Sequence, residues 1–127
     1  MTKKDYTPPA PKCWEYELPG GLRALAGKTD ADNDQLSLRI AAANDYWFHV
    51  KGMPGSHVIL LCGDIEPDRE TLKQAAAIAA YHSKARGGGT VAVNMTQAKH
   101  VSKPKGAKPG TVQIRRESTL KVKPALP

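Results

Sequence analysis

Cysteine is scarce in this chain, with Cys13 and Cys62 its only two. Two thiols cannot build a disulfide framework or a four-thiolate zinc site, which sets both classes aside. Long apolar runs are missing as well. The longest, Ala75 to Ala80, holds six residues, far short of the roughly 20 that a membrane helix needs. Met1-Thr-Lys-Lys-Asp5 carries positive charge with no apolar core behind it, which does not fit a secretory signal. At 127 residues, 40% hydrophobic and 24% charged, the composition is that of one globular domain. A cytoplasmic protein without a membrane partner is expected.

Acid is the other shortage, and it is local. Residues 1–83 carry nine Lys/Arg against eleven Asp/Glu, and residues 84–127 carry ten against one, so the first two thirds stand at −2 and the last third at +9. Such asymmetry is the electrostatic footprint of a surface that binds a polyanion. No amphipathic helix rich in Trp, Phe or Leu accompanies the charge, which disfavours anionic lipid. Nucleic acid is the expected partner.

Residues 1–12 hold Pro8, Pro9 and Pro11 among polar residues and read as a flexible arm. An ordered domain is expected over 13–124, with a tail at 125–127. Trp14 to Leu18 alternates apolar and polar, Pro19-Gly-Gly21 turns the chain, and Leu22 to Ala26 reads as the return strand. The capping-type cluster Asp30 to Asp34 opens a short helix over about 31–40. It lacks the Gly and Glu of a calcium loop at the required places. Tyr46–Val50 and His57–Cys62 are β-prone runs joined by Gly52-Met-Pro-Gly55, a hairpin pattern. Pro67 in a first turn, Asp68 and Glu70 behind it, Lys84 and Arg86 at the far end and Gly87-Gly-Gly89 beyond predict a long helix over about 67–86. Its many alanines suit close packing against a sheet. Three short strands follow, at 90–95, 111–115 and 120–122. The fold class is α+β, a mainly antiparallel sheet with one long and one short helix.

The densest chemical feature is Lys99 to Gly110, where Lys99, Lys103, Lys105 and Lys108 alternate with Pro104, Gly106, Pro109 and Gly110. Proline fixes the backbone direction and glycine permits close approach, so backbone amides and ammonium groups together suit phosphate oxygens. On the first hairpin strand Trp47, His49 and Lys51 share a face, which offers a stacking ring, an imidazole and a cation. Lys84 and Arg86 extend the basic patch from the helix end. His49, His57 and His82 raise the alternative of an RNA-processing enzyme. His49 and His57 share a face only if the loop between their strands has an odd number of residues. No HExxH, cysteine pair or serine-elbow motif accompanies them. No catalytic residue, metal ligand or cofactor is therefore assigned.

Four blocks in order, Asp45-Tyr-Trp-Phe-His49, Pro54-Gly-Ser-His57, Ala75 through Tyr81-His-Ser-Lys-Ala-Arg86, and Lys103-Pro-Lys-Gly-Ala-Lys-Pro-Gly110, resemble the NFACT-R domain. That is the RNA-binding part of the NFACT proteins, which include bacterial RqcH/fibronectin-binding-protein homologues and eukaryotic NEMF. The likeness covers about residues 14–124. It implies a free-standing RNA-binding module acting on tRNA or ribosomal RNA, with the large ribosomal subunit as a partner in ribosome-associated quality control. It does not imply C-terminal tailing, which depends on a family domain with no room here. The family's Gly-Arg…Gln-Asn-Asp stretch stands here as Gly27-Lys28…Asp32-Asn33-Asp34, which leaves its role open. The expected RNA-facing residues are Trp47, His49, Lys51, His57, His82, Lys84, Arg86, Lys99, Lys103, Lys105 and Lys108. Docking on a ribosomal protein through the basic face is the third reading.

Overall fold

The computed structural model describes residues 9–127, so most of the arm expected over 1–12 lies outside the described residues. The expected first hairpin is β1 (Cys13–Glu17) and β2 (Arg23–Gly27), antiparallel in register from Cys13↔Gly27 to Glu17↔Arg23. Helix α1 (Asp30–Gln35) follows and runs on through a wider π-type turn at Leu36–Ile40. Its cap is Thr29, which accepts from the Asp32 amide while the Asp32 carboxylate accepts from the Thr29 amide, a reciprocal capping box. The expected second hairpin forms from β3 (Tyr46–Val50) and β4 (Val58–Leu61), with Trp47 opposite Ile59 and Phe48 opposite Val58. Then come α2 (Arg69–Tyr81), β5 (Val91–Gln97), the short pair β6 (Val101–Ser102) and β7 (Gln113–Ile114), and β8 (Ser118–Val122).

The six long strands make one antiparallel sheet in the order β1-β2-β4-β3-β5-β8. Strand alternation sorts its side chains into two cores. Ala24, Ala26, Phe48, Val58, Leu60 and Val93 meet α2, whose Ala75, Ala76, Ala79 and Ala80 are fully buried. Alanine lets the helix backbone approach the sheet closely. Leu25, Trp47 and Ile59 point the other way, onto Leu36 and the chain carrying β6 and β7 through Val101, Val112 and Ile114. Both faces of the central strands are covered.

α2 is shorter than expected at both ends. Asp68 is the N-cap, its carboxylate accepting from the Thr71 amide at 2.8 Å, so Pro67 stands before the helix. At the other end the helix stops at Tyr81, not Arg86. Ser83 donates its hydroxyl to the Ala80 carbonyl at 2.6 Å, and the His82 carbonyl accepts from Ser56 rather than from a continuing turn. Side-chain and tertiary bonds have taken the groups that a further helical turn would use. Arg86 still serves the terminus, its Nε donating to the Tyr81 carbonyl at 2.7 Å.

Candidate nucleic-acid interface

Pro54–His57 is the hub where the motif blocks meet. The Ser56 amide donates to the His82 carbonyl at 2.9 Å and the Lys84 amide to the Pro54 carbonyl at 3.3 Å, zipping the segment to the end of α2. Gly55 bridges Ser83. A Cβ on Gly55 would stand 2.7 Å from Ser83 Cβ, so the close approach requires glycine. Toward β2 the Gly27 amide donates to the His57 carbonyl at 3.1 Å, and Ser56 Oγ donates to the Gly27 carbonyl. Toward α1 the His57 amide donates to Asn33 Oδ1 at 3.1 Å.

These contacts border an open cleft of about 350 Å³. Trp14, Lys28, Asp30, His82, Lys84 and Arg86 line it around small residues at Gly27, Gly55, Ser56 and Ser83. The Trp14 ring stacks on His82 with centroids 4.1 Å apart and planes 12° apart. Lys28 Nζ stands over the same indole at 5.2 Å. Behind the stack, Tyr16 Oη lies 2.6 Å from His82 Nε2, and Arg86 sits over Tyr81 at 4.0 Å. Burial first, and Arg86 second, hold the His82 ring below its usual pKa, so it is neutral at pH 7. Lys28, Lys84 and Arg86 are exposed and form no ion pair among the described residues.

The basic loop leaves and re-enters the sheet's second face beside α1, and it is tethered there. Lys103 Nζ bonds Asp34 at 3.0 Å and donates to the carbonyls of Lys108 at 2.7 Å and Thr111 at 3.0 Å. All three of its protons are thus taken. The Gly110 amide donates to Asp34 Oδ1 at 3.0 Å, and a Cβ on Gly110, whose φ is +86°, would meet Asp30 at 2.9 Å. Lys105 and Lys108 remain exposed at the tip. Asp30 also lines the cleft, so α1 borders both the cleft and the Gly110 end of the loop.

Two expected site residues lie inside the protein. Trp47 is 2% exposed and His57 3%, because loop and π-turn cover their face of the sheet. Neither presents a ring to a base, which corrects the expectation of a stacking Trp47. They support the loop instead: Trp47 Nε1 donates to Ser37 Oγ at 2.9 Å, and Ser37 Oγ lies 2.8 Å from His57 Nδ1. Trp47, Ser37 and His57 thus form one buried hydrogen-bonded chain through the Ser37 hydroxyl. Burial and then His49 push the His57 pKa down to about 4, against the opposing effects of Asp34 and of the Gly110 and Asn33 backbone. His49 and His57 do share a face, with rings 5.4 Å apart. His82 is elsewhere, on Trp14, so the three histidines do not converge. Among the described residues no group of three or more His, Cys, Asp or Glu could hold a metal.

Lys103 is the third correction, a strut of the loop rather than a free phosphate ligand. Lys51 lies beyond β3, where its amide bonds Ala92. Lys99 sits apart with His100 and Arg116, its Nζ donating to Asn44 Oδ1 at 3.1 Å. Trp14 is absent from the expected site residues, and Lys28 and Asp34 enter the sequence reading only through the Gly27-Lys28…Asp34 stretch whose role is left open. All three lie far in sequence from the lysines and arginine they stand beside.

The family described as NFACT protein RNA binding domain matches residues 14–116. The Rqc2 homolog RqcH of Bacillus subtilis (strain 168) is 43% identical over 122 residues, which is 96% of this chain and 21% of that protein. The Rqc2 homolog RqcH of Streptococcus suis (strain 05ZYH33) is 44% identical over 100 residues, 79% of this chain and 18% of the relative. The chain therefore spans about a fifth of the length of these relatives. The solved C-terminal part of the fibronectin/fibrinogen-binding protein from Streptococcus suis is similar at a TM-score of 0.84 and 38% identity, over 94% of this chain and 47% of that one.

Proposed function

The chain belongs to the NFACT RNA-binding domain family, and from that premise we propose that it is a non-catalytic module for tRNA or ribosomal RNA, acting in the cytoplasm in ribosome-associated quality control with the large ribosomal subunit as its partner. The observation that carries this reading is the surface around α1. Lys28, Lys84 and Arg86 surround an exposed indole on one side, and Lys105 and Lys108 project from a braced loop on the other. Cations without carboxylate partners are free for phosphates, and contacts of that kind position a nucleic acid rather than read its sequence. A tethered Pro/Gly loop loses little entropy when it binds.

Crosslinking in cells followed by sequencing of the attached RNA tests the proposal. It expects tRNA or ribosomal RNA to dominate, and a Lys28/Lys84/Arg86→Ala variant to lose most of the yield. No RNA above background would contradict it. Ribosome association that survives nuclease digestion would favour docking on a ribosomal protein.

A further inference from the structure

We propose that the cleft beside Trp14 is a slot for one unpaired nucleotide, its base stacked at the indole and its phosphates held by Lys28, Lys84 and Arg86. The inference rests on the RNA reading above and narrows it to single strands, loops and bulges.

Trp14 is the more telling of the two tryptophans. It lies on β1, an edge strand, and is 38% exposed, whereas Trp47 is 2% exposed. Its ring is not loose, because stacking on His82, with Tyr16 bonded to that imidazole and Tyr81 against its edge at 5.2 Å, fixes the plane of the indole. A rigid aromatic backed by a second ring is a platform on which a planar group can stack at little ordering cost. The covering group is the Lys28 side chain, a long flexible cation that can swing from the ring to a phosphate.

The rest of the lining suits the same ligand. Glycine and serine at Gly27, Gly55, Ser56 and Ser83 leave the floor open to a flat group. The volume of about 350 Å³ falls at the lower end of ligand-sized pockets, ~300–1,000 Å³. Lys84 and Arg86 close the rim with positive charge, and Asp30 is the one acid on the lining. A base inside a duplex has both faces covered by its neighbours, so only an unpaired base reaches such a platform. Stacking accepts any base, which gives the slot a preference for strandedness rather than sequence.

The test reads the two tryptophans apart. The purified protein is titrated with a ten-nucleotide oligouridylate and with a blunt RNA duplex, following intrinsic fluorescence and affinity. Oligouridylate is expected to quench the emission, and the quench to vanish in Trp14→Phe, where only the buried Trp47 reports. Trp14→Ala should bind the single strand about tenfold more weakly, the scale of one lost base stack. Duplex affinity should change less than about twofold. A thermal melt confirms that each variant folds. Salt-sensitive binding of oligouridylate with no Trp14 signal and no loss in Trp14→Ala overturns the slot and leaves the RNA reading standing. Failure to bind oligouridylate, duplex and tRNA alike overturns both.

Discussion

His57 shows how a single buried residue ties stability to the binding surface. Its Nδ1 is hydrogen-bonded to the Ser37 hydroxyl at 2.8 Å, it lies against the Gly110 backbone and it is 3% exposed. Burial and the neighbouring His49 lower its pKa from 6.5 to about 4. Between those values the unfolded chain binds the proton and the folded one does not, so stability is full above about pH 6.5 and falls as pH drops toward 4. The linkage is on the order of 3 kcal/mol at most. Denaturant unfolding from pH 7 to 4 should show this loss. His57→Gln should be less stable at pH 7 and lose less on acidification, with His49 and His82, also lowered by burial, supplying the remainder. Identical pH profiles for variant and wild type would contradict the assignment. Asp45 is a second such residue. Its buried carboxylate accepts from the amides of Ala42 at 2.8 Å, Cys62 at 3.0 Å and Gly63 at 2.8 Å, so it staples two turns. Asp45→Ala strands three donors and should cost about 2–3 kcal/mol in a urea titration. A loss under about 0.5 kcal/mol, the scale of an ordinary surface change, would sink that role.

At the scale of elements, the basic loop divides into strut and tip. Lys103 spends its protons on Asp34 and two carbonyls, whereas Lys105 and Lys108 face solvent. Asp34→Asn should therefore loosen the loop, seen as faster hydrogen exchange at Gly110 and Thr111, and weaken RNA binding indirectly. Lys105/Lys108→Ala should weaken binding with each change worth less than about 0.5 kcal/mol of stability. Equal exchange in Asp34→Asn and wild type would remove the tether from the account. Sequence could not separate these lysines, because Asp34 lies far upstream and only the folded chain brings it to Lys103. Both hairpins and a short helix opening at the acidic cluster follow from period and turn chemistry, whereas the start of α2 does not: Pro67 is expected in its first turn and stands before the Asp68 cap instead. Strand alternation also placed Trp47 opposite Phe48. It says that a strand has two faces, not that both are covered, and the return of β6 and β7 over the second face is what buries Trp47. The early end of α2 has the same origin, in bonds to Ser56 and Pro54 that no helix propensity contains.

Across the whole molecule, the −2 and +9 parts do not stay apart on folding. Lys28, from the acidic part, joins Lys84 and Arg86 in the cleft, while Lys103 from the basic part is neutralised by Asp34. Lys28, Lys84 and Arg86 at the cleft and Lys105 and Lys108 at the loop tip are five exposed cations without a carboxylate partner among the described residues. No helix among the described residues is long and apolar enough to cross a membrane. Each engaged phosphate contributes roughly −0.7 to the slope of log K against log salt on a single strand. The most direct measurement is that slope, taken with a fluorescent single-stranded RNA between dilute and physiological salt, for wild type and for Lys105/Lys108→Ala. The predicted slopes are about −3.5 for wild type and about −2 for the variant, with the fold intact in both. A wild-type slope between zero and about −1, or one that the double substitution leaves unchanged, would contradict the binding face.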